Sequence, residues 1–483
     1  MRKLIFVLPF LSILIVFSCK KDEFDTSPSS KVEFSQDTVM FDTVFTTVGS
    51  ATQIFTVYNR NSKAIKISSI NIAGGAASYY RLNVDGVPGK SFTNVEIGAN
   101  DSMFVFAEVT LDPNNLNTPF IVTDSIQFVT NGVAQYVDLV AFGQDAIFHR
   151  PASNSPNGPF FIVDCNEVWS NTKPHVVYGY ALVDSGCTLT ITEGTNVHFH
   201  PGSGIIVLNS GTLNVSGTQQ NKVTLEGDRL GQLYSEVAGQ WDRIWLSTVN
   251  VHTNRTSEGP KTCTIKNAII KNGTVGLLAD SFNTPGAITL DLENTVVKNM
   301  SSHAIATRSS NVAAYNSVFA NCGAQNANIL YGGNLDFLQC TFANFWNGSN
   351  RQDAIISLNN YYTAVRTLNA NFRNCIVYGN NEMELALDSF PASGQFNFLF
   401  DHAILKVENT FSTSNSHYIS ILRNVNPIFK DPDNNDYHLD SLNSPARNVG
   451  DPSVILLNPI ILGTDLDGTP RINTPDLGAY ETQ

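Results

Sequence analysis

"NAIIKN" (267–272), "NTVVKN" (294–299), "NSVFAN" (316–321), "QCTFAN" (339–344), "NCIVYG" (374–379) and "HAILKV" (402–407) are variants of one phrase. Their starts lie 27, 22, 23, 35 and 28 residues apart. Self-similarity at a loose period above about 20 residues marks a solenoid. Each phrase opens on a short polar or small position, runs through β-branched or aromatic residues, and mostly ends near Asn. Such a strand pairs in parallel with its counterpart one coil up and buries its inward side chains in a continuous stack. Asn at equivalent corners tolerates left-handed backbone and ladders its amides between coils. A minimum spacing near 22 suits a coil of three strands, with the longer intervals projecting as loops. Helical repeats would need an apolar period of 3.6, which the phrases lack. This reading places Ile269, Val296, Phe319, Phe342 and Val377 in the interior.

Working outward, the same texture begins at about residue 150. "YALVDSGCTLTITEGTNVHFHPGSGIIVLNSGTLNVSGTQQNKVTLEGD" (180–228) is built of short alternating strands with Gly-containing corners. Ahead of it, residues 32–145 carry a different pattern. "TQIFTVYNRN", "IKISSINIAG", "YYRLNVDG", "DSIQFVTNG" and "QYVDLVAFGQ" alternate as half-buried strands with Gly, Asn and Asp in the turns. About seven such strands over some hundred residues predict an immunoglobulin-like sandwich. Its phrases resemble the HYDIN/ASPM-type Ig-like modules, which implies a spacer or binding module.

The N-terminus reads as an export signal. Arg2 and Lys3 precede an apolar run of fourteen, "LIFVLPFLSILIVF" (4–17). That is short of the roughly 20 residues a membrane-spanning helix needs and suits a signal-peptide core over 1–18. Ser18 and Cys19 resemble a bacterial lipobox, which implies that Cys19 becomes the lipid-bearing N-terminus. "KKDE" (20–23) resembles the Lys-then-acid signal of surface lipoproteins in Bacteroidetes, implying an outer-membrane, outward-facing address. Residues 19–31 are polar and contain Pro28, so they are expected to form a flexible tether. Asp-Ser/Thr-apolar tripeptides at Thr38, Thr43, Ser102, Ser125 and Ser441 look like Bacteroidetes O-glycosylation sites.

Composition agrees with an exported β protein. Charged residues are 15% and aromatics 10%, against a usual charged share of about 25%. A net charge of -13 argues against nucleic acid as a partner. After Cys19 six cysteines remain, without a CxxC or zinc spacing. Cys187, Cys263, Cys340 and Cys375 lie in strand-like runs and are expected as inward thiols, with room for one or two bridges among the six.

The 150–483 region resembles the right-handed parallel β-helix proteins of the pectate-lyase-like superfamily. "GCTLTITEGTNVHFHPGSGIIVLNSGTLNVSG…GQWDRIWL" is similar to their first coils. "NPIFKDPDNNDYHLDSLNSPARNVG…TDLDGTPRINTPDLGAYE" is similar to a terminal segment shared by secreted members and implies a C-terminal cap. The expected fold is therefore all-β, an Ig-like sandwich followed by a right-handed parallel β-helix. The superfamily holds lyases, hydrolases and adhesins, so activity must come from the site.

The hydrolase motifs are missing: the repeats hold no Asp-Asp pair, Gly-His-Gly or Arg-x-Lys. A lyase would need a Lys or Arg to take the proton α to a carboxylate, beside a calcium-binding acidic cluster. Lys271, Arg308, Arg351, Arg366 and Arg373 supply the cations; Asp280, Asp291 and Asp353 supply the acids. "VHFHP" sets His198 and His200 two apart on a strand, outward if Val197 and Phe199 point in, but without the third ligand a zinc site wants. Asp433 and Asp436 in "DPDNNDYH", with Asp465 and Asp467 in "DLDG", offer oxygens that would suit calcium, although neither stretch has EF-hand spacing. Asx-turns and an Arg471–carboxylate pair are the competing account. Trp241 and Trp245, four apart, would share the outer face if Ile244 points in, where they could stack on sugar rings; the resemblance makes Trp241 part of a recurrent coil signature, which implies a packing role and is the favoured account. No cofactor is expected. The favoured expectation is a non-catalytic, membrane-anchored scaffold binding a polysaccharide or a cell-surface protein. The alternative is a polysaccharide lyase or hydrolase with a groove lined by 228–239, 251–262 and 346–353.

Overall fold

The structure is a computed structural model that describes residues 23–114, 119–156, 158–248, 261–362 and 364–482. Cys19, the apolar run before it and most of the loop 251–262 lie outside the described residues. The protein is all-β and divides into two compact units, one ending at Asp145 and one starting at Ala146.

The first unit is a sandwich of two five-stranded sheets. Pairing is antiparallel, except that Thr38–Phe45 runs parallel to Val133–Gln144. Strict alternation sets the faces: in Ser102–Val109 the side chains of Met103, Val105, Ala107 and Val109 are buried while Phe104 faces out. A two-residue period fixes this register because a slip by one would expose the whole apolar set. Residues 23–31, expected to be a free tether, are instead laid on this unit. Asp25 N donates to Ala64 O (2.8 Å), the Asn131 amide donates to Ser27 O and Ser30 O (3.0 and 3.1 Å), and Lys63 pairs with Glu23 (2.8 Å). Polar bonding substitutes for the missing apolar pattern.

The second unit is a parallel β-helix of three faces. One face carries the repeated phrase, through Asn196–Phe199, Val223–Gly227, Ala268–Lys271, Val296–Met300, Val318–Cys322, Thr341–Asn344 and Ile376–Gly379. The preceding face of each coil runs from Glu167–Trp169 through Ile288–Glu293 to Leu368–Arg373. The following face runs from Gly158–Ile162 through Gly204–Val207 to Leu385–Asp388. The first residue of every phrase sits in the left-handed region: Asn267 (φ 49°), Asn294 (49°), Asn316 (48°), Gln339 (56°), Asn374 (53°) and His402 (49°). Asn adopts that conformation at little cost, so the recurrent Asn is a corner requirement. An Asn ladder also forms on the outside of the preceding face, where Asn334, Asn369 and Asn397 each donate to the amide oxygen one coil below, starting at Asn311 (2.9, 2.8 and 2.9 Å).

Inside, aromatic rings stack along the axis: Phe337–Phe372–Phe400 at 5.0 and 4.6 Å, and Phe319–Phe342 at 4.9 Å. Phe319, Phe342 and Val377 are buried there as expected. Ile269 and Val296 are not. The interior column is Ile270–Val297–Phe319–Phe342–Val377, and Ile269 pairs with Val296 one position out of that register. The cause is a second apolar column. Val296, Val318, Ile376 and Ile404 face outward and are covered by Phe429, Tyr437, Leu439, Leu466 and Leu477. A strand buried on both sides shows no alternation in its sequence.

Those covering residues belong to the C-terminal segment, which is a lateral strap and not a plug on the end. It contacts the corners of successive coils. Asp467 O accepts from the Gln219 amide, the Asn316 amide donates to Ile461 O and Thr464 O (2.9 Å each), and Asn374 Oδ1 accepts from Asp451 N (2.8 Å). Gly478 (φ 90°) lies so close to the coils that a Cβ there would sit 2.5 Å from Thr341 Oγ1. That approach lets Ala479 N reach the same hydroxyl at 2.9 Å.

Cys187 is not an inward thiol. It forms a disulfide with Cys165 across 22 residues, joining the turns before Glu167–Trp169 and Thr188–Thr192, which are paired strands. Cys263, Cys322, Cys340 and Cys375 are buried, and burial pushes the Cys322 thiol up to about 12.

Candidate functional site

Four consecutive coils bring aromatic rings and guanidiniums to one corner, between the following face and the next preceding face. Phe282 comes two residues after Gly273–Asp280, Arg308 ends His303–Arg308, Tyr331 follows Ala327–Leu330, and Tyr362 and Arg366 lie between Ile356–Asn359 and Leu368–Arg373. The three rings contact edge to face at 5.1, 5.1 and 5.5 Å. The Arg308 guanidinium lies 4.6 Å from the Phe282 centroid, and that of Arg366 lies 5.0 Å from Tyr362. Arg308 is ion-paired to the buried Asp280 (2.9 Å), while Arg366 donates to Phe282 O (2.9 Å) and leaves its Nε without a partner. Next to them Tyr361, 55% exposed, rests on Phe390 at 4.6 Å. Rings and guanidiniums together offer stacking and charge to a ligand in an otherwise acidic protein.

Of the lyase candidates, Arg308, Arg366 and Asp280 meet at this corner, while Lys271, Arg351, Asp291 and Asp353 lie elsewhere. Lys271 is held by Glu226 (3.1 Å) and Glu236 (3.6 Å), and Lys298 shares Glu236 (2.8 Å). Arg351 is sealed against Glu384. Its other bond is to the backbone carbonyl of Asp353, whose carboxylate accepts from the Gln325 amide (2.9 Å). Asp291 lies on the outside of the preceding face, where burial and Glu293 raise its carboxyl above the ordinary range.

Trp241 and Trp245 do not share a face. A register shift between Arg243 and Ile244 inserts a bulge, which breaks the two-residue period. Trp241 therefore points inward, 1% exposed, stacked on Phe199 at 4.6 Å and donating to Lys271 O at 2.8 Å. Trp245 points outward beside Ile206 and Leu278, with its Nε1 buried and unpaired. Of the two, Trp245 alone remains a ligand-facing candidate.

The histidines separate as well. His198 is buried, 3.6 Å from Glu226, and burial lowers its pKa; the expected solvent-facing position is corrected. His200 lies past the end of Asn196–Phe199, exposed, with Nδ1 2.7 Å from Asp228. In the strap, Asp465 is an Asx-turn acceptor: Asp467 N, Thr469 N and Glu481 N bond its carboxylate at 2.9, 2.7 and 2.8 Å. Asp436 and Asp467 bracket His438, and Asp433 is exposed in the turn Pro432–Asn434. The four aspartates thus form no shared calcium cradle. Arg471 pairs with Glu481 at 3.5 Å and donates to Asn316 Oδ1 at 2.8 Å. Among the described residues, the group whose ligand atoms do lie within 4.8 Å of one another is Asp401, His402 and Asp451. Its Asp451 carboxylate already accepts from Ser453 N and Oγ.

Phe282, Tyr331 and the adjacent pair Tyr361 and Tyr362 escape a motif search because they lie in loops of different coils with no fixed flanking residues. The usable signal is spacing by one coil, counted from the end of successive following-face strands.

No protein-family model and no curated protein matches the chain. Solved structures match in part. A family 123 glycoside hydrolase from Clostridium perfringens aligns over 23% of this chain and 25% of its own, at 11% identity and a TM-score of 0.17. The PapD-like domain 7 of human CEP192 aligns over 27% of this chain and 94% of its own (10%, TM-score 0.18), and the E. coli chaperone DraB over 23% and 54% (9%, TM-score 0.17). Similarity at that level carries no function. The class defined by the fold is an all-β protein with a sandwich unit and a parallel β-helix unit.

Proposed function

We propose that the chain is an exported, lipid-anchored protein of the outer membrane surface. In this reading its β-helix is a non-catalytic scaffold that binds a glycan at the aromatic corner of Phe282, Tyr331, Tyr361 and Tyr362. The observation that carries it is how the cations a lyase would use are held. Lys271 and Arg351 lie away from the corner and each has a carboxylate partner. Inside it Arg308 is paired with Asp280 and Arg366 is held over the Phe282 and Tyr362 rings. The guanidiniums therefore stand as ring-packed ligand contacts and not as a base beside an acidic cluster, and the rings gather at an edge a polymer can reach. The Cys165–Cys187 bridge supports export, since such bonds persist in oxidising compartments. Two experiments test the proposal. A polysaccharide panel should show binding that is weakened at least tenfold in Tyr361→Ala/Tyr362→Ala, with no unsaturated products by ultraviolet absorbance; product formation would install the lyase reading. Cys19→Ser should release the protein from membranes or leave it unprocessed, since the acyl chains supply the anchoring energy.

A further inference from the structure

At the opposite end of the chemistry, four consecutive coils place Arg150, Tyr178, His200 and Asp228 at one corner. Each follows the end of a phrase-face strand: Ile147–His149, His175–Val177, Asn196–Phe199 and Val223–Gly227. Between them opens a cavity of about 530 Å³, within the range that holds small molecules. Its walls are apolar. Pro151, Pro159 and Pro201 supply rings. Gly179 (φ 70°) lets the backbone close in, for a Cβ there would overlap Pro159 O.

The polar groups are few and ordered. The Tyr178 ring lies between its neighbours, its centroid 5.2 Å from the Arg150 guanidinium carbon and 4.5 Å from the His200 ring centroid, tilted 31° to the imidazole. Asp228 fixes His200 through Nδ1 at 2.7 Å, which turns Nε2 away from that carboxylate. Arg150 is exposed, and among the described residues no carboxylate lies within ion-pairing distance of it. In a chain of net charge -13, where Lys271, Arg308 and Arg351 are all paired, this is a guanidinium left available at the mouth of an apolar cavity.

We propose that this corner is a binding site for a small carboxylate with an apolar body. The carboxylate would sit on Arg150, whose fork matches it in two-point geometry, and the apolar part would lie against the proline rings and Tyr178. The site is separate from the aromatic corner and does not depend on glycan binding.

The full chain would be titrated by calorimetry with 3-phenylpropionate, with 3-phenylpropanol as the neutral counterpart and acetate as the anion without a body. Expected is saturable binding of phenylpropionate, at least tenfold weaker binding of both controls, and a tenfold or greater loss in Arg150→Met. Arg150→Lys should keep part of the affinity, and unchanged thermal unfolding of both variants would show that the exposed substitution spares the fold. Equal affinity for the acid and the alcohol, or an unaltered affinity in Arg150→Met, would overturn the assignment. So would no saturable binding at millimolar ligand.

Discussion

Arg351 and Glu384 meet through two parallel bonds, Nη1 to Oε2 at 2.8 Å and Nη2 to Oε1 at 2.6 Å, with side chains 3% and 0% exposed. The pair closes the loop between Thr341–Asn344 and Ile356–Asn359, and Glu384 also accepts from Ile355 N and Asn381 N. Removing one member strands a buried charge, which costs about 3–5 kcal/mol, whereas replacing both with apolar groups is often neutral. Glu384→Leu should therefore lower stability by that amount in urea unfolding, and Arg351→Met/Glu384→Leu should recover most of it. A double variant as weak as the single would show that the loop depends on the charges themselves.

The one-residue offset of the phrases gives a second outcome. Ile270 is fully buried and Ile269 only half-buried on the outer face. Ile270→Ala should cost about 2–5 kcal/mol and Phe319→Ala about 3–5 kcal/mol, the range for truncating buried side chains. Ile269→Ala should cost clearly less than Ile270→Ala. Reversal of that order by chemical denaturation would restore the register first read from the phrases.

What the sequence made legible follows from which constraint was local. A left-handed corner needs Asn at Asn267, Asn294, Asn316 and Asn374, and that need is visible residue by residue. The inward register was not visible, because the strap covers Val296, Val318 and Ile376 from outside and removes the alternation. The packing of Trp241 was legible from the coil signature, whereas its separation from Trp245 was not, because the bulge at Arg243 leaves no mark in composition. The corner residues Arg150, Tyr178, His200 and Asp228 come from four coils, so proximity arises only once the coil length is known.

The strap should respond to pH. His438 lies between Asp436 (2.5 Å) and Asp467 (2.8 Å), its ring 3.9 Å from that of Tyr480 and tilted to it, with Lys222 and Lys430 also near these carboxylates. The Asp467 bond holds its imidazole above the ordinary 6.5. A raised value in the folded state means stabilisation that is complete below about 6.5 and lost as pH rises through the raised value. Burial and Asp476 push Glu481 up to about 7, with the same sign. Asp467 is lowered, so its contribution is lost on acidification below about 3.8. Hydrogen-exchange protection across 460–480, after correction for base-catalysed intrinsic exchange, should be greatest near about pH 4, fall from about 4.5 to about 7 as Glu481 ionises, and fall further as His438 loses its proton. His438→Asn should flatten the alkaline limb, and an unchanged limb would assign it elsewhere.

The last prediction concerns the Cys165–Cys187 bridge. It closes a loop of about 22 residues at the first coils, where each strand has neighbours on fewer sides than in the middle of the stack. In the chain-entropy account a loop of that length is worth about 3 kcal/mol. Stability in a solenoid is a sum of coils and their interfaces, so the loss should be local. Cys165→Ser/Cys187→Ser should speed amide exchange in Glu167–Trp169, His175–Val177 and Thr188–Thr192 while leaving Leu368–Arg373 unchanged. The buried thiols Cys263, Cys322, Cys340 and Cys375 should stay unreactive to alkylation in the native protein, with or without the bridge. Uniform acceleration along the whole β-helix would mean that its coils unfold as one unit and would refute the local reading.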